Sequence, residues 1–291
     1  MVTDPLRIPV LTLAVALAAC GQPSSPDPAS QPGTENTAAV VADDNPPLVP
    51  ILEASSDPDQ PTRVLDPRAD EILRVMGSAL SALPTFALEA EESFDEIPTG
   101  QPRVLLTNLR RVAVQRPNRF AADARGDSLN RSVWYDGRSL TVWDKTTNSY
   151  STVDMPDSID DALDTLGETY DVHVPLADLL YANPYEVLAE GATYSRYLGI
   201  HTAANVPCHH LVFAQPTIEW QIWIDAGEHP LPRKLVITYV REPGEPQYVA
   251  TIQAWRLSPT LPDTLFTFEA PTGAERVEFQ TLTPGVPGES N

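Results

Sequence analysis

The chain has 291 residues, 40 acidic against 19 basic, and a formal net charge of −21. That charge excludes a nucleic-acid backbone as partner, since phosphate binding needs a basic face. Its two cysteines cannot build a disulfide framework or a four-thiolate zinc site.

Residues 8–19 form an apolar run behind Arg7. The run is too short to span a bilayer, which takes ~20 residues, but it has the length of a signal-peptide core. It ends Leu17-Ala18-Ala19-Cys20-Gly21, which resembles a bacterial lipobox. Small residues there let a peptidase approach the scissile bond, and the cysteine receives the lipid. Residues 1–19 are therefore read as a lipoprotein signal peptide and Cys20 as the lipidation site. Several acyl chains at ~0.8 kcal/mol per buried CH₂ make such an anchor stable. Gly21 in place of Asp points to the outer membrane, facing the periplasm. Residues 20–65 carry the anchor and then a Pro/Asp-rich stretch with no apolar period, read as a disordered tether.

The folded domain is expected over 66–280, with 281–291 as a flexible tail. Asp66 and Pro67 make a helix start, and Ala69, Ile72, Leu73, Met76, Leu80 and Leu83 follow on one face until Pro84. From Phe86 the period changes to two. Strands are predicted at 86–95, 103–115, 119–125, 131–136, 139–144 and 149–153. The turns between them carry Pro117-Asn118, Asp136-Gly137 and Thr147-Asn148. Such short connections make the neighbours antiparallel. A helical insert is predicted over 157–190, with acids at its start, an apolar stripe through Ile159, Ala162, Leu163, Leu166 and Tyr170, and short helices beginning at Pro175 and Pro184. Strands resume at 193–202, 207–214, 218–225, 233–241 and 247–257, with a last one at 265–269.

The class is therefore mainly β with α (α+β). An antiparallel sheet of about 11–12 strands must curl. The expected architecture is a curved half-barrel with an N-terminal helix and a helical lid insert covering its mouth.

Several blocks resemble known families. Val114-Gln115-Arg116-Pro117-Asn118-Arg119-Phe120, Tyr135-Asp136-Gly137-Arg138-Ser139-Leu140 and the ending Phe266-Thr267-Phe268-Glu269-Ala270-Pro271-Thr272-Gly273 resemble the LolA/LolB-like lipoprotein carrier superfamily. Pro175-Leu176-Ala177-Asp178-Leu179-Leu180, Val206-Pro207-Cys208-His209-His210-Leu211, Trp220-Gln221-Ile222-Trp223-Ile224 and Pro230-Leu231-Pro232-Arg233-Lys234 look more specifically like the periplasmic family DUF2092. The resemblance implies a half-barrel that takes an acyl chain or lipoprotein segment between sheet and lid. It also implies that Arg116, in the R-P-N turn, bonds the lid in the closed state.

The residues themselves name further candidates, each with a plainer reading. Trp134, Trp143, Trp220 and Trp223 fall in strands and could line an acyl site, or serve as ordinary packing. On a strand, Cys208 and His210 share one face and His209 takes the other. A metal needs three or four convergent ligands, which His173, His201 and His229 would supply only by tertiary accident, so none is expected. A buried thiol beside hydrogen-bonded histidines is the simpler account of this triplet. No nucleophile elbow, P-loop or H-E-x-x-H motif occurs. The expectation is a non-enzymatic, lipid-anchored envelope protein with no cofactor, a hydrophobic ligand and no specified protein partner. The alternative is an interaction or sensor module of the same fold without a lipid ligand.

Overall fold

A computed structural model describes residues 51–53, 63–98, 100–170, 172 and 176–279. The signal peptide, Cys20, most of the tether, His173, Pro175 and the tail lie outside the described residues.

Helix α1 (Pro67–Ser81) starts as its sequence dictates. The Asp66 side chain accepts from Arg68 N at 2.9 Å, and its other oxygen accepts from Tyr197 N at 2.8 Å. One carboxylate thus caps the helix and fixes it to a strand 131 residues later. Ala69, Leu73, Met76 and Leu80 are buried on the helix face turned to the sheet. Gly77 sits where helix α3 (Pro184–Ala189) crosses: a Cβ there would lie 2.7 Å from Tyr185 Cβ.

Among the described residues, fourteen strands form one sheet. They are β1 (Ile51–Glu53), β2 (Arg63–Leu65), β3 (Thr85–Glu96), β4 (Val104–Gln115), β5 (Arg119–Gly126), β6 (Asn130–Tyr135), β7 (Ser139–Asp144) and β8 (Ser149–Asp154), then β9 (Tyr194–Ala203), β10 (Val206–Ala214), β11 (Glu219–Asp225), β12 (Pro232–Thr238), β13 (Gln247–Leu257) and β14 (Glu275–Arg276). Their order is β1-β2-β9-β10-β11-β12-β13-β3-β4-β5-β6-β7-β8-β14, so the sheet is curved and unclosed. From β9 to β8 every pairing is antiparallel. The tight β9–β10 turn uses Ala204 and Asn205, both at positive φ (48° and 60°), which suits the twist of a two-residue hairpin.

The strand period divides the sheet into two faces. Leu88, Ala90, Val112, Val114, Tyr135, Val142, Leu211, Phe213, Ile222, Ala250 and Ile252 belong to the buried core on the inner face. Helix α1, helix α2 (Ile159–Tyr170) and α3 contribute to that same core. The helices therefore cover the concavity of the sheet.

Three differences from the sequence reading have physical causes. Residues 265–269 are not a strand: Asp263–Phe266 is a 3₁₀ turn, and the Phe268 ring lies 5.1 Å from Trp134 and 4.9 Å from Tyr150. Their alternation reflects aromatic packing, and the free edge of β8 is taken instead by β14, in parallel. Likewise the segment after Pro175 forms only a 3₁₀ turn, Ala177–Leu179. Short strands β1 and β2 also lie within the stretch read as tether. β2 is held by main-chain pairing and by Arg63, whose guanidinium donates to Ala192 O at 2.9 Å, which needs no apolar period.

Candidate ligand groove and its lid

The β4–β5 turn anchors the helical cover. Ile159 N donates to Pro117 O at 2.9 Å, which sets the start of α2. One residue earlier, Arg116 Nη1 donates to Leu180 O at 2.6 Å, next to the 3₁₀ turn. The Arg116 guanidinium also lies over the Phe86 ring, 5.6 Å from its centre. Its Nε and Nη2 are buried and make no hydrogen bond among the described residues. Burial lowers its pKa, and Asp160 only partly opposes this.

The rest of the cover, 176–189, is tied by side chains to the two longer helices. Ala182 N donates to Asp160 at 2.9 Å, and Tyr181 OH donates to Asp164 at 2.9 Å. Ser81 Oγ donates to Ala182 O at 2.7 Å, and Tyr185 OH donates to Asp70 at 2.6 Å. Leu176, Leu179, Leu180 and Leu188 complete the contact with the core. The root of α2 is fixed by Tyr135, whose buried hydroxyl donates to Pro156 O at 2.5 Å. Burial first, and then the nearby acids, push its pKa up to about 12.

The cover does not extend over the whole inner face. Along β4 the inner positions run from Val114, 0% exposed, and Val112, 6%, to half-buried Leu106 and then Val104 at 44%. Between these lies a polar cluster. The Glu92 carboxylate accepts from Arg110 Nε at 2.5 Å and from Tyr248 OH at 2.7 Å. Burial works against the Arg110 charge, but Glu92 more than offsets it and the guanidinium pKa rises. Burial and Glu92 push the Tyr248 phenol well up, so it stays protonated. The signal for this cluster lay in the sequence: Glu92 and Arg110 sit in the apolar phase of their strands, beside Ala90 and Val112.

Of the four tryptophans read as candidate lining, Trp220 faces the helices. It is buried in the core, stacked on Phe213 with ring centres 4.1 Å apart. Trp134, Trp143 and Trp223 do not reach this face. Each is one residue out of phase with an inward neighbour, Tyr135, Val142 and Ile222 respectively. Trp134 meets Phe268, and Trp143 Nε1 donates to Asn148 at 3.2 Å. Trp255, outside that set, does pack against the core, with its ring centre 5.8 Å from Phe86. A register shift between Ile252 and Ala254 resets the phase there, and strict alternation misses it.

Trp223 belongs to an outer-face ladder with the histidines. His210 stacks on it at 3.8 Å and shares a 2.7 Å Nδ1···Nδ1 contact with His201. The other His210 nitrogen meets Gln221 Oε1 at 3.0 Å. His209 takes the opposite face, with its Nδ1 3.1 Å from Tyr197 OH. Burial lowers the pKa of both histidines. Cys208 is a buried free thiol whose pKa burial raises, the reverse of what an activated nucleophile needs. Among the described residues no group of three or more metal-capable side chains converges.

Comparison with known proteins places this geometry in context. The sequence profile of a family of predicted periplasmic proteins, DUF2092, matches residues 69–280. No curated protein matches the chain. Among solved structures, an uncharacterized conserved protein from Thermus thermophilus is 14% identical, with 73% of this chain and 99% of that one covered at a TM-score of 0.44. MucB from the Pseudomonas aeruginosa MucA/MucB complex is 14% identical, with 70% and 62% covered at 0.40. A LolA superfamily protein from Nitrosomonas europaea is 12% identical, with 69% and 97% covered at 0.33.

Proposed function

This chain belongs to the DUF2092 family of predicted periplasmic proteins, and from that premise we propose that it is a lipid-anchored envelope protein that holds an acyl chain between its sheet and its helical cover. Cys20 is the lipidation site in this reading, and the domain stands on the outer membrane facing the periplasm. The role is binding, with no reaction catalysed.

One observation carries the reading. The inner apolar face is covered by separate helices, of which the 176–189 segment is tied to its neighbours by polar side chains as well as leucines, and the cover stops before the exposed end of β4. An acyl chain entering at Val104 and Leu106 would pass the Glu92–Arg110 pair to reach the apolar wall at Ala90 and Val112 as the cover shifts. Arg116 is the hinge-side contact of that cover, a single hydrogen bond to Leu180. Burial of apolar surface at ~25 cal/mol per Å² gives a twelve-carbon chain ample driving force.

The test is organic extraction of the full-length protein purified from bacterial membranes, carried out on the wild type and on Cys20→Ser. The reading predicts an extractable acyl lipid from both, and in the wild type a second, covalently held set released only by ester hydrolysis. Repeated extracts of Cys20→Ser that contain no acyl lipid contradict it.

A second reading, a protein-interaction module, draws on Leu105 and Leu109, which are 60% and 38% exposed on the outer face of β4. Site-specific crosslinking from position 109 in cells would then trap one partner, and Leu105→Glu would abolish it.

A further inference from the structure

The Glu92–Arg110–Tyr248 cluster places a charged pair on a wall whose phase calls for apolar residues. Such a pair is a poor source of stability, because desolvating two ions consumes most of their attraction. Its bonding is also incomplete. Arg110 uses Nε alone, and its terminal amino groups make no hydrogen bond among the described residues. Both bonds to Glu92 end on Oε1, so Oε2 receives none among the described residues. The Arg110 side chain keeps 14% exposure, and the inner residues beyond it, Leu106 and Val104, open progressively to solvent. Two free donors and a free acceptor therefore stand side by side where the apolar wall leaves the cover.

The charge balance decides what they accept. Glu92 cancels Arg110, Tyr248 is neutral, and the protein carries a net −21. A ligand carboxylate or phosphate would add a negative charge beside Glu92 with no cation left to meet it. An ester carbonyl accepts from the guanidinium without adding charge, and a neighbouring hydroxyl donates to Glu92 Oε2.

We propose that Glu92, Arg110 and Tyr248 form the polar end of the inner apolar wall and select an uncharged acyl ester of a polyol. The ester carbonyl accepts from the Arg110 amino groups, and a free hydroxyl donates to Glu92. Tyr248 fixes the carboxylate. The proposal rests on the acyl-binding reading above, which places the hydrocarbon chain farther in, along the covered wall.

The experiment uses the full chain carrying Cys20→Ser. Quenching of tryptophan emission by 1-bromododecane reports occupation of the apolar wall. Monododecanoylglycerol, dodecanoate and dodecane then compete with that probe. Monododecanoylglycerol is expected to displace it at about tenfold lower concentration than dodecanoate or dodecane, the effect of one or two hydrogen bonds to a charged group. Arg110→Lys keeps a cation for Glu92 but lacks the planar fork. It should erase that advantage and leave bromododecane quenching unchanged. The paired change Arg110→Gln with Glu92→Gln, which leaves no lone buried charge, should do the same. An advantage that survives both variants, or a dodecanoate affinity equal to that of the glycerol ester, overturns the proposal while acyl binding stands. Absence of saturable bromododecane quenching overturns both readings.

Discussion

Arg116 and Leu180 are joined by a single 2.6 Å hydrogen bond from guanidinium to carbonyl, and that bond is where the sheet holds the 3₁₀ turn of the cover. The same guanidinium buries two further nitrogens that have no partner among the described residues. Its Arg116→Met variant should therefore lose little global stability, ~1 kcal/mol or less, since a lost bond is offset by removal of unpaired buried donors. The cover should loosen all the same. Hydrogen–deuterium exchange of 176–189 is expected to accelerate while β3 and β4 keep their protection. Unchanged exchange in that segment would show that Arg116 does not restrain it.

Core and surface leucines should separate cleanly. Leu73 is fully buried between α1 and the sheet, so Leu73→Ala should cost about 2–5 kcal/mol. Leu105, on the outer face of β4, should change stability by no more than ~0.5 kcal/mol when replaced by alanine. Urea midpoints at constant m-value measure both.

The histidines give a pH dependence of definite sign. Burial depresses the pKa of His209 and His210 below the ordinary value of 6.5. The unfolded chain then binds protons that the folded chain does not, so stability falls as pH drops below about 6.5. It levels off only below the folded-state pKa values. Urea unfolding at pH 7.5 and 5.5 should show this loss, and His210→Gln, which retains a donor for Gln221, should reduce it. A slope unaffected by changes at both His209 and His210 would assign it elsewhere.

Cys208 is buried and its thiol pKa is raised. A thiol reagent should therefore label the folded Cys20→Ser protein far more slowly than the urea-unfolded chain. Equal rates would place the thiol at the surface.

Most of this fold could be read from periodicity, because one face of each long strand and one stripe of each helix must be buried. The α1 start was explicit in Asp66-Pro67, and the hairpins in their turn residues. Features that depend on something other than period were not legible in that way. β2 pairs through its backbone, Phe266 and Phe268 alternate without a strand partner, and the bulge near Ile252 turns Trp255 inward. Three of the four tryptophans read as candidate lining face outward, since aromatic size alone does not fix the phase of a strand. Glu92 and Arg110 were visible as charges at apolar positions, but their meeting needed the register that pairs Ala90 with Arg110 and Glu92 with Asn108. The lid contact of Arg116 was read from family resemblance, and its geometry emerges only once the 176–189 segment is folded over the β4–β5 turn.

An acyl chain lying against the inner face would meet one set of tryptophans and not the other. Trp220 and Trp255 belong to the core side, whereas Trp134, Trp143 and Trp223 lie outside. Quenching by 1-bromododecane should be saturable and should persist when the three outer tryptophans are replaced by phenylalanine. It should be largely lost when Trp220 and Trp255 are replaced. Quenching that follows the outer tryptophans instead, or that never saturates, would contradict the account.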